Sequence, residues 1–299
     1  MQNNYGRGIL YAIIAAVLWG LTGLLSQYLF QKTDVTISWS MGVKSILSGL
    51  LILAISYNHD GNHIFSIWHQ KKDIASLLVY GLIGLAGVQV TYSLTVLTSD
   101  AAIATIIQML GIIGVIIYST IFFKQRPRRQ EYIAIILSLL GTWLLVTRGH
   151  LTELALSKTT VIPGICLIFC SAGLSVLPFN LLRKYSSLII LGWGLLIGGV
   201  CFEIIHPFWI NPPQPTLIKI IAIILITFVG TALAYLLYLH SMNYINSTVA
   251  SLLDTFEPLT AALGTVFFFN AHYNWAEYVG SFFILSTVFV LAVGSHHQA

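Results

Sequence analysis

Apolar residues run along this chain in long blocks of nearly uniform length, separated by short polar breaks. The blocks fall at about 9–30, 35–57, 74–97, 101–123, 131–147, 161–182, 187–209, 217–240, 246–269 and 276–294. Crossing the hydrocarbon core takes about 20 apolar residues in helical form. Helix is also the form in which one segment satisfies all its own backbone hydrogen bonds in lipid. The pattern therefore predicts an all-α integral membrane protein of ten transmembrane helices. Most breaks carry ordinary turn chemistry, such as Asn211, Pro212, Pro213 and Pro215 ahead of the eighth block. Only 58–73 and 148–160 are longer, and 58–73 is read as a solvated loop. The first block follows Arg7 without a small-residue cleavage site and reads as a retained helix.

Composition sharpens this picture. Of 299 residues, 57% are apolar and 8% charged, against about a quarter charged in soluble domains. The net charge of +4 is small, so nucleic acid is not an expected partner and the lipid bilayer is. With the N-terminus inside, Arg7, Lys71, Lys72, Lys124, Arg126, Arg128, Arg129, Arg183 and Lys184 face the cytoplasm. Lys32, Arg148, Lys158 and Lys219 then face the other side. Positively charged loops resist translocation, so both termini are expected in the cytoplasm and the chain in the inner (plasma) membrane.

The two halves also repeat. A shift of 146 residues places Gly84 on Gly230, Ala86 on Ala232, Tyr92 on Tyr238 and Ala104 on Ala250. In the same ungapped register, Phe122 and Phe123 fall on Phe268 and Phe269, and Glu131 and Tyr132 on Glu277 and Tyr278. Five helices per copy is an odd number, so the second copy must enter the membrane in the opposite direction. The expectation is two inverted five-helix repeats, 1–150 and 151–299, an organisation common in secondary transporters.

Three ionisable groups fall inside apolar blocks: Lys44, Asp254 and Glu257. Each costs a few kcal/mol or more to bury alone, so each needs a partner or a water-filled cavity. Asp254 and Glu257, three apart, share one helix face, and a proton or cation is expected between them. Pairing of Lys44 with one acid, purely to fix packing, is the bland alternative. Pro258 is expected to free a backbone carbonyl near Asp254. Among the aromatic residues Trp19, Tyr28, Trp39, Tyr92, Trp143, Trp193, Tyr235, Tyr238 and Phe256, some line a cavity and most pack or sit at the interface. Glu203 and His240 are read as interfacial. Cys166, Cys170 and Cys201 are read as packing residues. The histidines His59, His63 and His69 lack an acidic or thiol partner, so no metal is expected. No P-loop, nucleophile elbow or dinucleotide fingerprint is present, so neither ATP use nor another enzymatic activity is expected.

Trp19-Gly20 in AVLWGLTG, Lys44 in MGVKSILSGLLIL and Glu257-Pro258 in LLDTFEPLTAALG, in that order on ten helices, resemble the EamA branch of the drug/metabolite transporter superfamily. The chain departs from that family in four places, the first being Lys44 itself, which stands where arginine is typical. Phe123-Lys124-Gln125 and Phe269-Asn270-Ala271 stand where a glycine-glutamate pair is usual, and Asp254 is an addition. The resemblance implies ten helices around a central cavity, no organic cofactor, and transport of amino acids or related amphipathic metabolites. Alternating access is the expected mechanism, with Lys44, Asp254 and Glu257 binding substrate or protons and Trp19, Tyr92 and Tyr238 lining the site. A homodimer is left open. A passive exchanger of phosphorylated or nucleotide-type metabolites is disfavoured by one buried lysine against two acids. A non-transporting scaffold and a lipid flippase also remain as alternatives.

Overall fold

A computed structural model of the chain describes residues 2–122, 129–147, 149, 156–245, 250 and 253–296. The helices are α1 (Gln2–Lys32), α2 (Ile37–Asp60), α3 (Lys71–Thr98), α4 (Ala101–Met109 continuing as Gly111–Phe122) and α5 (Arg129–Thr147) in the first half. In the second half they are α6 (Lys158–Val176), α7 (Ser187–Ile205), α8 (Leu217–Ser241), α9 (Phe256–Phe269) and α10 (Trp275–His296). Among the described residues, seven helical segments are long and apolar enough to cross a bilayer: Tyr5–Lys32, Ile37–His69, Lys71–Thr98, Ala101–Tyr118, Lys158–Leu182, Ser187–Ile205 and Leu217–Ser241. Tyr132–Leu144 and Phe256–Phe269 are shorter apolar helices. Residues 123, 246–249, 251 and 252 of the expected spans lie outside the described residues.

Many large apolar side chains point outward, including Ile162, Phe169, Ile204, Leu217, Phe267 and Phe268. Such a surface is stable only against lipid or another apolar partner. Several hydroxyl groups within the helices are satisfied locally. Thr22 Oγ1 donates to the Leu18 carbonyl at 2.8 Å, and Thr95 Oγ1 to the Thr91 carbonyl at 2.8 Å.

Helix packing places α2 against α7 and α5 against α10, with α1 held between α8 and α9, and α6 between α3 and α4. Glycine permits the α2–α7 crossing: a Cβ on Gly49 would lie 3.0 Å from the Gly192 carbonyl oxygen, and one on Gly199 would lie 2.9 Å from the Ile46 nitrogen. Two helices widen by one residue per turn, α3 over Tyr80–Ala86 and α8 over Leu225–Leu233. Such π-turns leave backbone groups that the regular ladder would have used. Ser48 Oγ on α2 donates to the Thr227 carbonyl, within the π-turn of α8, at 2.9 Å.

Two local expectations are corrected. The 58–73 segment is not an irregular loop, since α2 runs on to Asp60, Gly61–His69 forms a 3₁₀ helix and α3 begins at Lys71. Burial of Ile64 and Ile67 against the core organises it. Cys166 is exposed on the bundle surface, so it does not pack as a small core residue, while Cys170 and Cys201 are half-buried.

Candidate functional site

The side chains singled out by charge and aromaticity converge. Trp19, Lys44, Tyr92, Tyr238, Asp254 and Glu257 all line one cavity of about 350 Å³, bordered by α1, α2, α3, α4, α6, α8 and the start of α9 with the turn before it. That volume suits a ligand of metabolite size.

Aromatic faces and carboxyls make up one wall. The Trp19 ring meets Tyr235 edge-on at 5.2 Å between centroids and Tyr238 at 5.3 Å. Tyr238 Oη donates to Asp254 Oδ2 at 2.9 Å, which fixes the carboxyl against the aromatic pair. Asp254 Oδ1 is buried with no hydrogen-bond partner among the described residues. A buried carboxylate oxygen left unpaired costs free energy that a ligand donor or a proton recovers.

The helix is interrupted here, with a turn at Asp254 and Thr255 ahead of α9. The expected free carbonyl is not free: the Asp254 carbonyl accepts from Glu257 N at 3.0 Å, a tighter turn that replaces the bond Pro258 cannot make. Gly20 sits directly against this turn, where a Cβ would lie 2.7 Å from the Glu257 carbonyl oxygen.

Lys44 and Gln89 line the same cavity, and Ser45 Oγ donates to Gln89 Oε1 at 3.3 Å. Lys44 makes no ion pair among the described residues. Lys44, Asp254 and Glu257 thus line one cavity without an ion pair between the lysine and either acid, and the bland packing pair is not formed. Tyr92 lies across α1, its hydroxyl 2.6 Å from where a Gly23 Cβ would be.

Other aromatic residues do different work. Trp39 Nε1 donates to the Phe208 carbonyl at 2.9 Å and Trp193 Nε1 to the Ile64 carbonyl at 2.8 Å, both away from the cavity. Glu203 sits at the end of α7, where its Oε2 accepts from Phe208 N at 2.7 Å. Residue-by-residue reading missed Thr22, Gln89, Gln108 and Thr231, which also line the cavity. Uncharged polar residues carry little signal in a helix, but the 146-residue register places Gln108 on Asp254 and Gln89 on Tyr235. Among the described residues, no three His, Cys, Asp or Glu side chains gather as a metal site.

An apolar cleft of about 850 Å³ lies between α1, α8 and α9, lined by Leu21, Leu25, Tyr28, Val229 and Phe268 among others, with Lys32 at one end. Thr22 lines both this cleft and the polar cavity.

The sequence matches the pattern of the EamA-like transporter family twice, over residues 6–147 and 158–293. It is 32% identical over 296 residues to the uncharacterized inner membrane transporter YicL of Salmonella typhimurium, covering 98% of this chain and 97% of that one. The uncharacterized transporter YwfM of Bacillus subtilis is 22% identical, over 97% and 95% of the two chains. An uncharacterized transporter of Haemophilus influenzae is 25% identical, over 96% and 95%. One crystal structure superposes with a TM-score of 0.66 at 15% identity, covering 98% of this chain and 99% of the other, which shows a shared fold.

Proposed function

The chain belongs to the EamA-like transporter family, and from that membership we propose that it is an inner-membrane secondary carrier of a small zwitterionic or amphipathic metabolite such as an amino acid. It works by alternating access and is coupled to protons through its carboxyls. The observation that carries this reading is the cavity itself: a lysine that forms no ion pair among the described residues and two carboxyls line one metabolite-sized space. A zwitterion presents an ammonium to Asp254 and Glu257 and a carboxylate to Lys44. Without substrate, a proton takes the place of the ammonium. Trp19, Tyr92 and Tyr238 supply ring faces that receive a cation or an apolar side chain.

The proposed architecture is ten spans in two inverted repeats, 1–150 and 151–299, with both termini cytoplasmic. Several features support it. The family pattern matches each half separately. The π-turns of α3 and α8 fall at positions related by the 146-residue shift, and so do the helix interruptions at Leu110 and near Thr255. Helix contacts occur in exchanged sets, with α1 on α8 and α9 mirrored by α6 on α3 and α4.

The test is uptake into proteoliposomes of amino acids found by a thermal-shift screen, with and without a pH gradient. Wild type should accumulate the screening hit when the gradient is imposed. Glu257→Gln and Asp254→Asn together should reduce the rate at least about tenfold, ~1.4 kcal/mol of lost recognition. Full-rate transport by the double variant would sink the carboxylate assignment.

The apolar cleft favours a second reading, in which the carried molecule has a long apolar tail that lies in lipid while its head enters past Thr22. Translocation of a fluorescent lipid between the leaflets of the same proteoliposomes, absent with Thr22→Phe, would favour this reading over the first.

A further inference from the structure

Each end of the bundle is tied across the two halves of the chain by the same two kinds of bond. At the end where α1 finishes, the Asp34 carboxylate pairs with the Lys219 ammonium at the head of α8 and accepts from Gln214 N at 2.8 Å. Beside it, Trp39 Nε1 donates to the Phe208 carbonyl at 2.9 Å. Both bonds run from the α1–α2 region to the α7–α8 region.

At the other end, Lys184 Nζ, between α6 and α7, donates to Asp73 Oδ1 at 2.8 Å and Oδ2 at 3.1 Å, and Tyr185 Oη donates to Asp73 Oδ2 at 2.8 Å. Beside it, Trp193 Nε1 donates to the Ile64 carbonyl at 2.8 Å. These bonds run from the α6–α7 region to the α2–α3 region, which is the first arrangement with the halves exchanged. The 146-residue shift carries Asp73 onto Lys219, so the ion pair recurs with its signs reversed. In each pair the member on the helix is the more buried one, Lys219 at 13% and Asp73 at 7% side-chain exposure. The 24 residues of α2 alone separate the two ends, about 36 Å at ~1.5 Å per residue.

A bond that joins the halves at one end resists their separation there and leaves the other end free to move. We propose that Asp34–Lys219 and Asp73–Lys184 are two locks of opposite polarity, one at each mouth of the cavity, released in turn as the carrier exposes its site to one side and then the other. The proposal rests on the alternating-access reading and identifies what governs it. Both locks are closed in the conformer described, and opening either mouth breaks only the nearer pair. The tryptophan bonds act as the neutral second tie at each mouth.

The experiment measures accessibility of the site, without substrate, so its failure is distinct from failure of the transport assignment. Cys166, Cys170 and Cys201 are replaced by serine and Val88, on the cavity wall, by cysteine. The labelling rate by a membrane-impermeant maleimide is then read from each side of oriented vesicles, with Gln214→Cys in a separate protein marking the Asp34 side. Asp34→Asn should raise labelling from the Asp34 side about three- to tenfold, and Asp73→Asn should raise it from the opposite side by a similar factor. The charge swap Asp34→Lys with Lys219→Asp should return the rates to the parent values. Equal effects on both sides, unchanged rates in both single variants, or a swap that behaves like the single variant would each overturn the proposal. Elution as a single symmetric species on size exclusion identifies folded variants, and the swap provides the test where a single variant fails to fold.

Discussion

Asp254, Glu257 and Lys44 show how a residue's identity narrows its position before any coordinates. An ionisable group in an apolar helix must find a cavity or a partner, because the unpaired charge costs a few kcal/mol or more in lipid. What identity does not give is which option is taken, and here the cavity is taken and the lysine–acid pair is not formed. Gly20 was legible only as a small residue in a motif, yet it is what lets α1 lie on the Asp254–Glu257 turn. Gly20→Ala would drive a methyl group into the Glu257 carbonyl, so we expect it to cost about 1–3 kcal/mol and to lower the melting temperature in detergent, along with transport. Gly6→Ala, with nothing within 4 Å of the added Cβ, should be neutral or slightly stabilising in the same assay. The ion pair at Asp34 gives a residue-scale pH expectation. The Lys219 ammonium, followed by the Gln214 N–H, holds the Asp34 carboxyl below the usual carboxylate range. A depressed carboxyl contributes above its unfolded value and loses that contribution as pH falls through the depressed one. The Asp34–Lys219 tie should therefore persist from neutral into mildly acidic solution, and titration of the Asp34 carboxyl by infrared difference spectroscopy checks this.

At the scale of elements, apolar block length predicted where helices run but not how they are interrupted. The π-turns in α3 and α8 have no sequence signature in a single chain, since one extra residue per turn leaves the hydrophobic pattern almost unchanged. Their consequence is specific. The Thr227 carbonyl, within the π-turn of α8, accepts from Ser48 of α2. Ser48→Ala should remove this buried bond between helices and destabilise the protein by about 0.5–1.5 kcal/mol, read as a lowered unfolding midpoint, whereas Ser48→Thr should retain most of the stability. Pro258 was legible as an interruption, but its effect depended on geometry: the neighbouring amide of Glu257 closed the gap with a tighter turn. The 61–69 segment is helical for a reason outside itself, because Ile64 and Ile67 are drawn into a core formed by α2, α3 and α7.

For the whole molecule, the recurring register and the exchanged helix contacts make a prediction about topology. Ten spans, an even number, put both termini on one side, whereas nine or eleven would separate them. Reporter fusions at Met1 and Ala299 should therefore give the same sidedness, with the cytoplasmic reporter active at both. Opposite sidedness would rule out the paired five-helix arrangement. The match of the family pattern to residues 6–147 and 158–293 leaves a short connection between the units, so co-expression of the two halves as separate chains should restore transport if each unit inserts by itself.

The sequence by itself determined that the chain is helical and lives in lipid, because spanning length and missing charge leave no other way to satisfy backbone and surface together. It also singled out the few side chains that need a cavity or a partner, because charge in hydrocarbon demands an explanation. Only the tertiary structure decided which of those side chains share a space, that Lys44 forms no ion pair with the acids, and that Thr22, Gln89 and Gln108 join them. Helix periodicity assigns each side chain a direction about its own axis, but a site built from seven helical segments depends on their mutual rotation and crossing. Those are set by contacts between residues far apart in the chain, such as Gly49 on Gly192 and Gly20 on Glu257.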